Sequence, residues 1–159
     1  MTELKVLMLI VLANGMPVIL RNLLGDRLGR PIDGGRRLRD GRPLFGPGKT
    51  WRGVAGAVVS TTLAAPLAGL SPGFGALSGL LAMTGDLLGS FLKRRIGVEP
   101  HGRAPGLDQV PESLLPALAA HWLLGLSWSG VLLVTALFTA GELLLSPLLY
   151  RLGIRQRPW

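Results

Sequence analysis

Apolar and polar residues alternate along this chain in long blocks. Apolar runs cover residues 4–24, 53–70, 73–92, 112–126 and 130–150, and polar, glycine-rich segments cover 25–52 and 93–111. As helices, the first two runs would reach about 31 and about 27 Å, enough to cross a bilayer core. The pattern predicts an all-α integral membrane protein: one domain over 1–159, five transmembrane helices and two long loops. Pro17 cannot donate a backbone hydrogen bond, so a kink or break is expected near Asn14. Asn14 is then either a ligand contact or a hydrogen-bonded packing residue. The small residues Gly53, Ala55, Gly56, Ala57 and Ser60 permit close helix approach in the second run. Ser71-Pro72 reads as a tight turn. The 112–126 run is short and contains Pro116 and His121, which suggests a tilted or partly re-entrant span. Ser127-Trp128-Ser129 reads as a turn carrying an interfacial aromatic.

Composition supports a membrane setting. Hydrophobic residues make up 48% of the chain and charged residues 16%, with positive mean hydropathy, too apolar for an ordinary soluble domain. The first apolar run carries only Lys5 as a basic flank, has no small-residue cleavage site and continues to Leu24, so it reads as a retained helix rather than a signal peptide. There is no cysteine, which excludes a disulfide framework and cysteine-based metal sites. Lys and Arg number 17 against 9 Asp and Glu. Five spans place 15 of these basic residues, in the two loops and the C-terminal tail, on one side. The positive-inside rule makes that side cytoplasmic and the N-terminus external. The basic charge is thereby explained by topology and by anionic lipid or phosphate ligands, and nucleic acid is not needed.

The acids are more informative. On a helix, Asp86, Ser90 and Lys93 share one face, with Asp86 about 10 Å from Lys93 along the axis. A carboxylate at membrane depth must be paired, hydrated or cation-bound, which makes Asp86 a functional candidate. The plainer alternative is an ion pair with Lys93 or an Arg that only ties helices together. Asp26, Asp33, Asp40, Asp86, Glu99 and Asp108 lie in or near the two loops among many cations. Such a mixture on glycine-rich backbone suits a Mg²⁺-bound polyphosphate, with one or two carboxylates on the metal and Arg or Lys on the remaining charge. Gly46-Pro47-Gly48-Lys49-Thr50 resembles the end of a Walker A loop, but position 43 is Pro where that motif needs Gly, and no strand precedes it. A P-loop NTPase is rejected. Lys49, Thr50 and Arg52 nevertheless lead into a helix N-terminus, where phosphate is favoured; headgroup binding by a basic flank is the alternative. Asp86 and Asp108 could share one or two cations. His121 reads as a packing residue. Glu142 lies deep in the bilayer, either pairing with another helix or facing the same cavity as Asn14.

Four stretches, taken together, resemble the CDP-archaeol synthase family. They are Pro31-Ile32-Asp33-Gly34-Gly35 with the run from Asp40 to Gly53, Gly85-Asp86-Leu87 through Ser90 to Arg95, Leu107-Asp108-Gln109, and Asn14 with Pro17 and the Pro158-Trp159 ending. They fall in order across nearly the whole chain. The resemblance implies a five-helix membrane cytidylyltransferase that moves CMP from CTP to an unsaturated archaeal ether lipid phosphate with Mg²⁺, releasing pyrophosphate. It is similar to the CDP-diacylglycerol synthases, though Gln109 stands where those have Arg and their additional N-terminal helices are missing. By their pattern Asp86 and Asp108 hold metal and Lys93 contacts phosphate. Lys49, Thr50, Arg52 and Arg94 are expected to join Lys93 around the triphosphate, and Asn14 or a main-chain group to read cytosine. A member acting on phosphatidate, and a small transporter or lipid-binding scaffold, are the competing readings.

Overall fold

Each apolar block becomes a helix, and hydroxyl caps set where three of them begin. In the computed structural model these are α1 (Thr2–Leu24), α2 (Trp51–Ala64), α3 (Pro72–Arg95), α4 (Gln109–Leu124) and α5 (Trp128–Arg151). The structure describes residues 1–153 except 101 and 103, and only the backbone of Leu149. Arg103, Arg155, Arg157 and the Pro158-Trp159 ending lie outside the described residues. Thr50, Ser71 and Ser127 each accept a hydrogen bond through the side-chain oxygen, from the backbone N–H of Gly53, Phe74 and Gly130 respectively, which satisfies a donor with no partner inside the helix. By length and composition α1, α3 and the Trp128–Leu148 part of α5 can cross a membrane.

Four boundaries differ from expectation. The second apolar run does not form one helix to residue 70: α2 has 14 residues and is followed by a 3-10 turn, Pro66–Ala68, and a left-handed Gly69 with φ 69°. Pro66 has no N–H to continue the α-ladder, and glycine takes the positive φ without strain. α1 runs unbroken through Pro17. Asn14 Nδ2 donates to the Ile10 carbonyl one turn back, 3.0 Å away. α3 extends past residue 92, so Lys93, Arg94 and Arg95 are its last turn rather than the start of a loop; cations there complement the helix dipole. α4 starts at Gln109, three residues before the expected start, with Asp108 as its N-cap residue.

Small residues set the helix spacing. A Cβ on Gly85 would overlap the Pro111 carbonyl and the Glu112 backbone, and one on Gly89 would overlap the Leu107 carbonyl. These two glycines, four apart on α3, let the start of α4 lie directly on α3. Gly75 and Gly79 do the same for α2, against Thr61. The apolar core gathers at one end, where Val6, Leu9 and Ile10 meet Phe74, Ala117, Ala120, Val131, Val134 and Phe138. The opposite end receives the long segments 25–50 and 96–108 and, among the described residues, the buried charges Asp33, Lys93, Arg94 and Glu112. On the outside, α1 and α5 expose Leu4, Met8, Val11, Ile19, Leu23, Leu132, Leu137 and Leu144. Lipid, not water, is the solvent that tolerates such a surface.

Candidate active site

Asp33 organises the first long segment. One carboxylate oxygen accepts from Gly35 N at 2.9 Å, and the other accepts from Phe45 N and Gly46 N, both at 3.0 Å. Burial opposes the charge, but the Gly46, Gly35 and Phe45 N–H groups outweigh it and hold this carboxyl below the usual aspartate value. The turn before Lys49 is thus tied back to the loop's first half. Ile32 N donates to Lys49 O at 2.9 Å, and Trp51 N to Arg30 O at 3.2 Å. The segment is also clasped to the end of α3: Arg42 Nη1 donates to the carbonyls of Arg94 and Arg95, and Arg95 pairs with Asp40 at 2.5 Å.

These restraints shape an open cavity of about 660 Å³ at the polar end of the helices. The residues expected to hold metal or nucleotide all line it: Asn14, Lys49, Thr50, Arg52, Asp86, Lys93, Arg94 and Asp108; Asp33, Asp40 and Glu99 do not. Ser90 and Glu142 also line it, and Glu142 accepts from Ser146 Oγ at 3.3 Å. Five acids, Asp26, Asp86, Asp108, Glu112 and Glu142, face five cations, Arg21, Lys49, Arg52, Lys93 and Arg94. The plainer alternative, an Asp86 ion pair with Lys93 or an Arg, is not what forms. Lys49 Nζ is 2.5 Å from Asp86, and Lys93 Nζ is 2.5 Å from Asp108. Asp86 and Lys93 are seven residues apart on one helix, so each finds its counter-charge on a neighbouring element instead. Burial works against the Lys49 ammonium, but the Asp86 carboxylate, then Glu112 and Asp108, raise its pKa above the ordinary lysine value. Arg94 is 3% exposed. It donates to Val98 O at 2.6 Å and keeps a buried Nε with no partner.

Asp108 also accepts from Ala104 N at 3.2 Å, and Gln109 Oε1 accepts from Gly106 N at 2.9 Å, so the second segment is braced against the start of α4. Sequence reasoning missed Glu112 and Arg21. Glu112 stands four residues after Asp108, a spacing that puts both on one helical face, but its place at the start of an apolar run hid it. His121, by contrast, is away from this cavity: Nδ1 donates to Leu126 O at 2.6 Å, and the ring lies 4.1 Å from that of Trp128. It is a packing residue, as expected.

The donor set suits Mg²⁺ bound together with a polyphosphate. Among the described residues no three acids converge to hold an ion on protein atoms alone. Mg²⁺ does not require that, since it takes one or two carboxylates plus phosphate oxygens and water. Asp86 and Asp108 present such oxygens beside lysines able to turn to phosphate.

A family model for CarS-like CDP-archaeol synthase matches residues 3–78 and 73–159. The chain belongs to the CDP-archaeol synthase family. It is 39% identical over 166 residues to the CDP-archaeol synthase of Thermococcus gammatolerans, covering 92% of this chain and 89% of that one. The enzyme of the same name from Aeropyrum pernix is 39% identical over 159 residues, 94% of this chain and 86% of that one. For the Hyperthermus butylicus enzyme the match is 44% over 104 residues, 62% of this chain and 59% of its relative. A solved structure described as an intramembrane enzyme for archaeal membrane lipids biosynthesis superposes with a TM-score of 0.67 at 32% identity, over 85% of this chain and 89% of that one. The chain is thus a membrane enzyme of the CDP-archaeol synthase type, and the resemblance read from its motifs holds.

Proposed function

We propose that the chain moves CMP from CTP to 2,3-bis-O-geranylgeranyl-glycerol 1-phosphate, giving CDP-archaeol and pyrophosphate, in the cell membrane with the cavity facing the cytoplasm. The observation that carries this reading is a cavity lined by both carboxylates and cations at the polar end of membrane-length helices. The names of the relatives, all from archaea, favour the ether lipid over an ester one.

An oxygen of the lipid phosphate attacks the α-phosphorus of CTP in line. A new P–O bond forms, the bond from the α-phosphorus to the bridging oxygen breaks, and its electron pair leaves with pyrophosphate. A phosphomonoester has a second pKa of about 6, so the nucleophile is already ionised at neutral pH and no protein base is needed. Positioning and charge neutralisation supply the catalysis. Lys49, Lys93 and Arg94 take the charge of the nucleotide's phosphates, with Thr50 at the start of α2. Asp86 and Asp108, backed by Glu112, would hold Mg²⁺, which would neutralise charge developing on phosphate oxygens. Asn14, on the cavity wall, is the candidate for reading cytosine. The Arg-rich loops, by the positive-inside rule, support the cytoplasmic side for this end of the helices.

Purified protein in detergent, given CTP, Mg²⁺ and either ether or ester lipid phosphate side by side, tests the assignment. Faster turnover of the ether lipid supports it. Faster turnover of phosphatidate would make the enzyme a CDP-diacylglycerol-forming member. Absence of CDP-lipid from both, with no CTP-dependent shift in melting temperature, would favour a transporter or scaffold.

A further inference from the structure

The five cations of the cavity do not have equivalent surroundings. Lys49 and Lys93 are held by Asp86 and Asp108, and Arg94 is buried beside Val98. Arg21 and Arg52 stand elsewhere, at the C-terminal end of α1. Arg52 Nη1 donates to the carbonyls of Gly25 and Arg27, just beyond that helix. Its Nε is buried without a hydrogen-bond partner. Gly25 N in turn bonds Arg21 O at 2.9 Å, so Arg21 lies one turn from the carbonyl that anchors Arg52. No carboxylate lies within ion-pair distance of either guanidinium among the described residues. Asp26 is the acid at this end; it is exposed and forms no ion pair among the described residues.

The depth of this pair is also marked. Arg21 is exposed and follows α1 residues that face outward, Ile19 at 46% exposure, with Leu23 at 75% two positions on. Trp51, 57% exposed, sits at the start of α2 beside Arg52; an exposed Trp at the end of a membrane helix marks the headgroup level. Here the lipid-facing wall of α1 meets the cavity. A lipid whose chains lie along Ile19 and Leu23 presents its headgroup to Arg21.

Resting on the cytidylyltransferase reading, we propose that Arg21 and Arg52 form the subsite for the lipid acceptor's phosphomonoester, apart from the Lys49, Lys93 and Arg94 end that takes the nucleotide. Arg21 presents the fork of paired N–H donors to a dianionic phosphate, a geometry lysine does not reproduce, and Arg52, anchored on the Gly25 and Arg27 carbonyls, adds its charge beside it. The ordinary role for an arginine at this depth is general attraction to anionic headgroups, and the test separates the two.

Arg21→Gln and Arg21→Lys are compared with wild type in detergent. The Gln variant should raise KM for the lipid phosphate roughly tenfold or more, as expected for a lost charged hydrogen-bonding group, and leave KM for CTP within about twofold. The Lys variant should recover part of the loss. An unchanged lipid KM, or an equal rise for CTP, overturns the proposal. Binding without turnover is read on mixed micelles that carry the lipid phosphomonoester, the dephosphorylated lipid alcohol, or an anionic phosphodiester lipid. Wild type should prefer the phosphomonoester and Arg21→Gln should lose that preference. Equal loss for both anionic micelles would make Arg21 a general membrane-surface cation and overturn the subsite. Soluble glycerol 1-phosphate should compete with the phosphomonoester micelles; failure to compete at any concentration would show that the headgroup phosphate is not what is recognised. If wild type made no CDP-lipid yet bound the phosphomonoester through Arg21, the subsite would stand and the transfer reaction would fall.

Discussion

The two ends of this helix bundle are built from the same helices and solve opposite problems. At the end formed by Val6, Leu9, Phe74, Val131, Val134 and Phe138, apolar side chains fill the space and short turns join the helices. At the other, Gly85 and Gly89 draw α3 and α4 together where both carry acids, and two long segments supply the cations. The first arrangement contributes stability. The second gathers like charges that disfavour folding unless each is matched, and Lys49 with Asp86 and Lys93 with Asp108 do the matching. Stability and function are therefore separable along the bundle axis, and substitutions should report which end they touch.

The largest effect is expected at the polar end. Asp86→Asn should lower CDP-lipid formation by about 100-fold or more, the scale of losing one group that stabilises transition-state charge, with a cooperative melt retained. Loss of folding instead would make the Lys49 pair structural. Phe138→Ala should show the reverse. Its cavity should cost roughly 3 to 5 kcal/mol of stability, lowering the melting temperature, while turnover per folded molecule stays within about twofold. Glu112→Gln comes next: apparent Mg²⁺ affinity, measured by titrating activity, should fall about tenfold, as for other groups that support metal ligands.

Asp33→Asn should act through the loop. The carboxylate accepts three backbone N–H groups, so the variant should raise KM for CTP and make 25–50 more accessible to protease. The same bonds predict an acid response. The folded-state pKa lies below the unfolded one, so the stabilisation is fully present above the unfolded value, about 3.9, and is lost as pH falls through the folded value. Protease sensitivity of the loop should rise in that acid window in wild type and be flat there in Asp33→Asn. The smallest effect belongs to Asp40→Asn, which removes a half-exposed partner of Arg95 and should change activity by less than about twofold.

Much of this contrast was legible in the sequence. Block hydropathy located all five helices, and Asp86, Lys93 and Asp108 stood out because charge in or beside an apolar helix is costly. What was not legible depends on tertiary contact. Lys49 as the partner of Asp86 requires the loop to fold back, and that fold rests on Asp33, whose role sits in backbone donors far along the chain. Pro66 was embedded in an apolar run, so its breaking of the ladder was overlooked. Asn14 beside Pro17 suggested a kink or break, and α1 runs through Pro17 without a break. Glu112 was hidden by the hydrophobic residues after it, although its four-residue offset from Asp108 was readable.

The most direct test of the central claim follows radiolabel from [α-³²P]CTP into lipid, using the purified full chain, Mg²⁺ and the unsaturated ether lipid phosphate. The account predicts labelled CDP-lipid with stoichiometric pyrophosphate, no product when the lipid phosphate is replaced by its alcohol, and near-complete loss in Asp86→Asn and Asp108→Asn. A wild-type protein that binds CTP but transfers no label to any lipid phosphate, or variants of both aspartates with undiminished transfer, would contradict it.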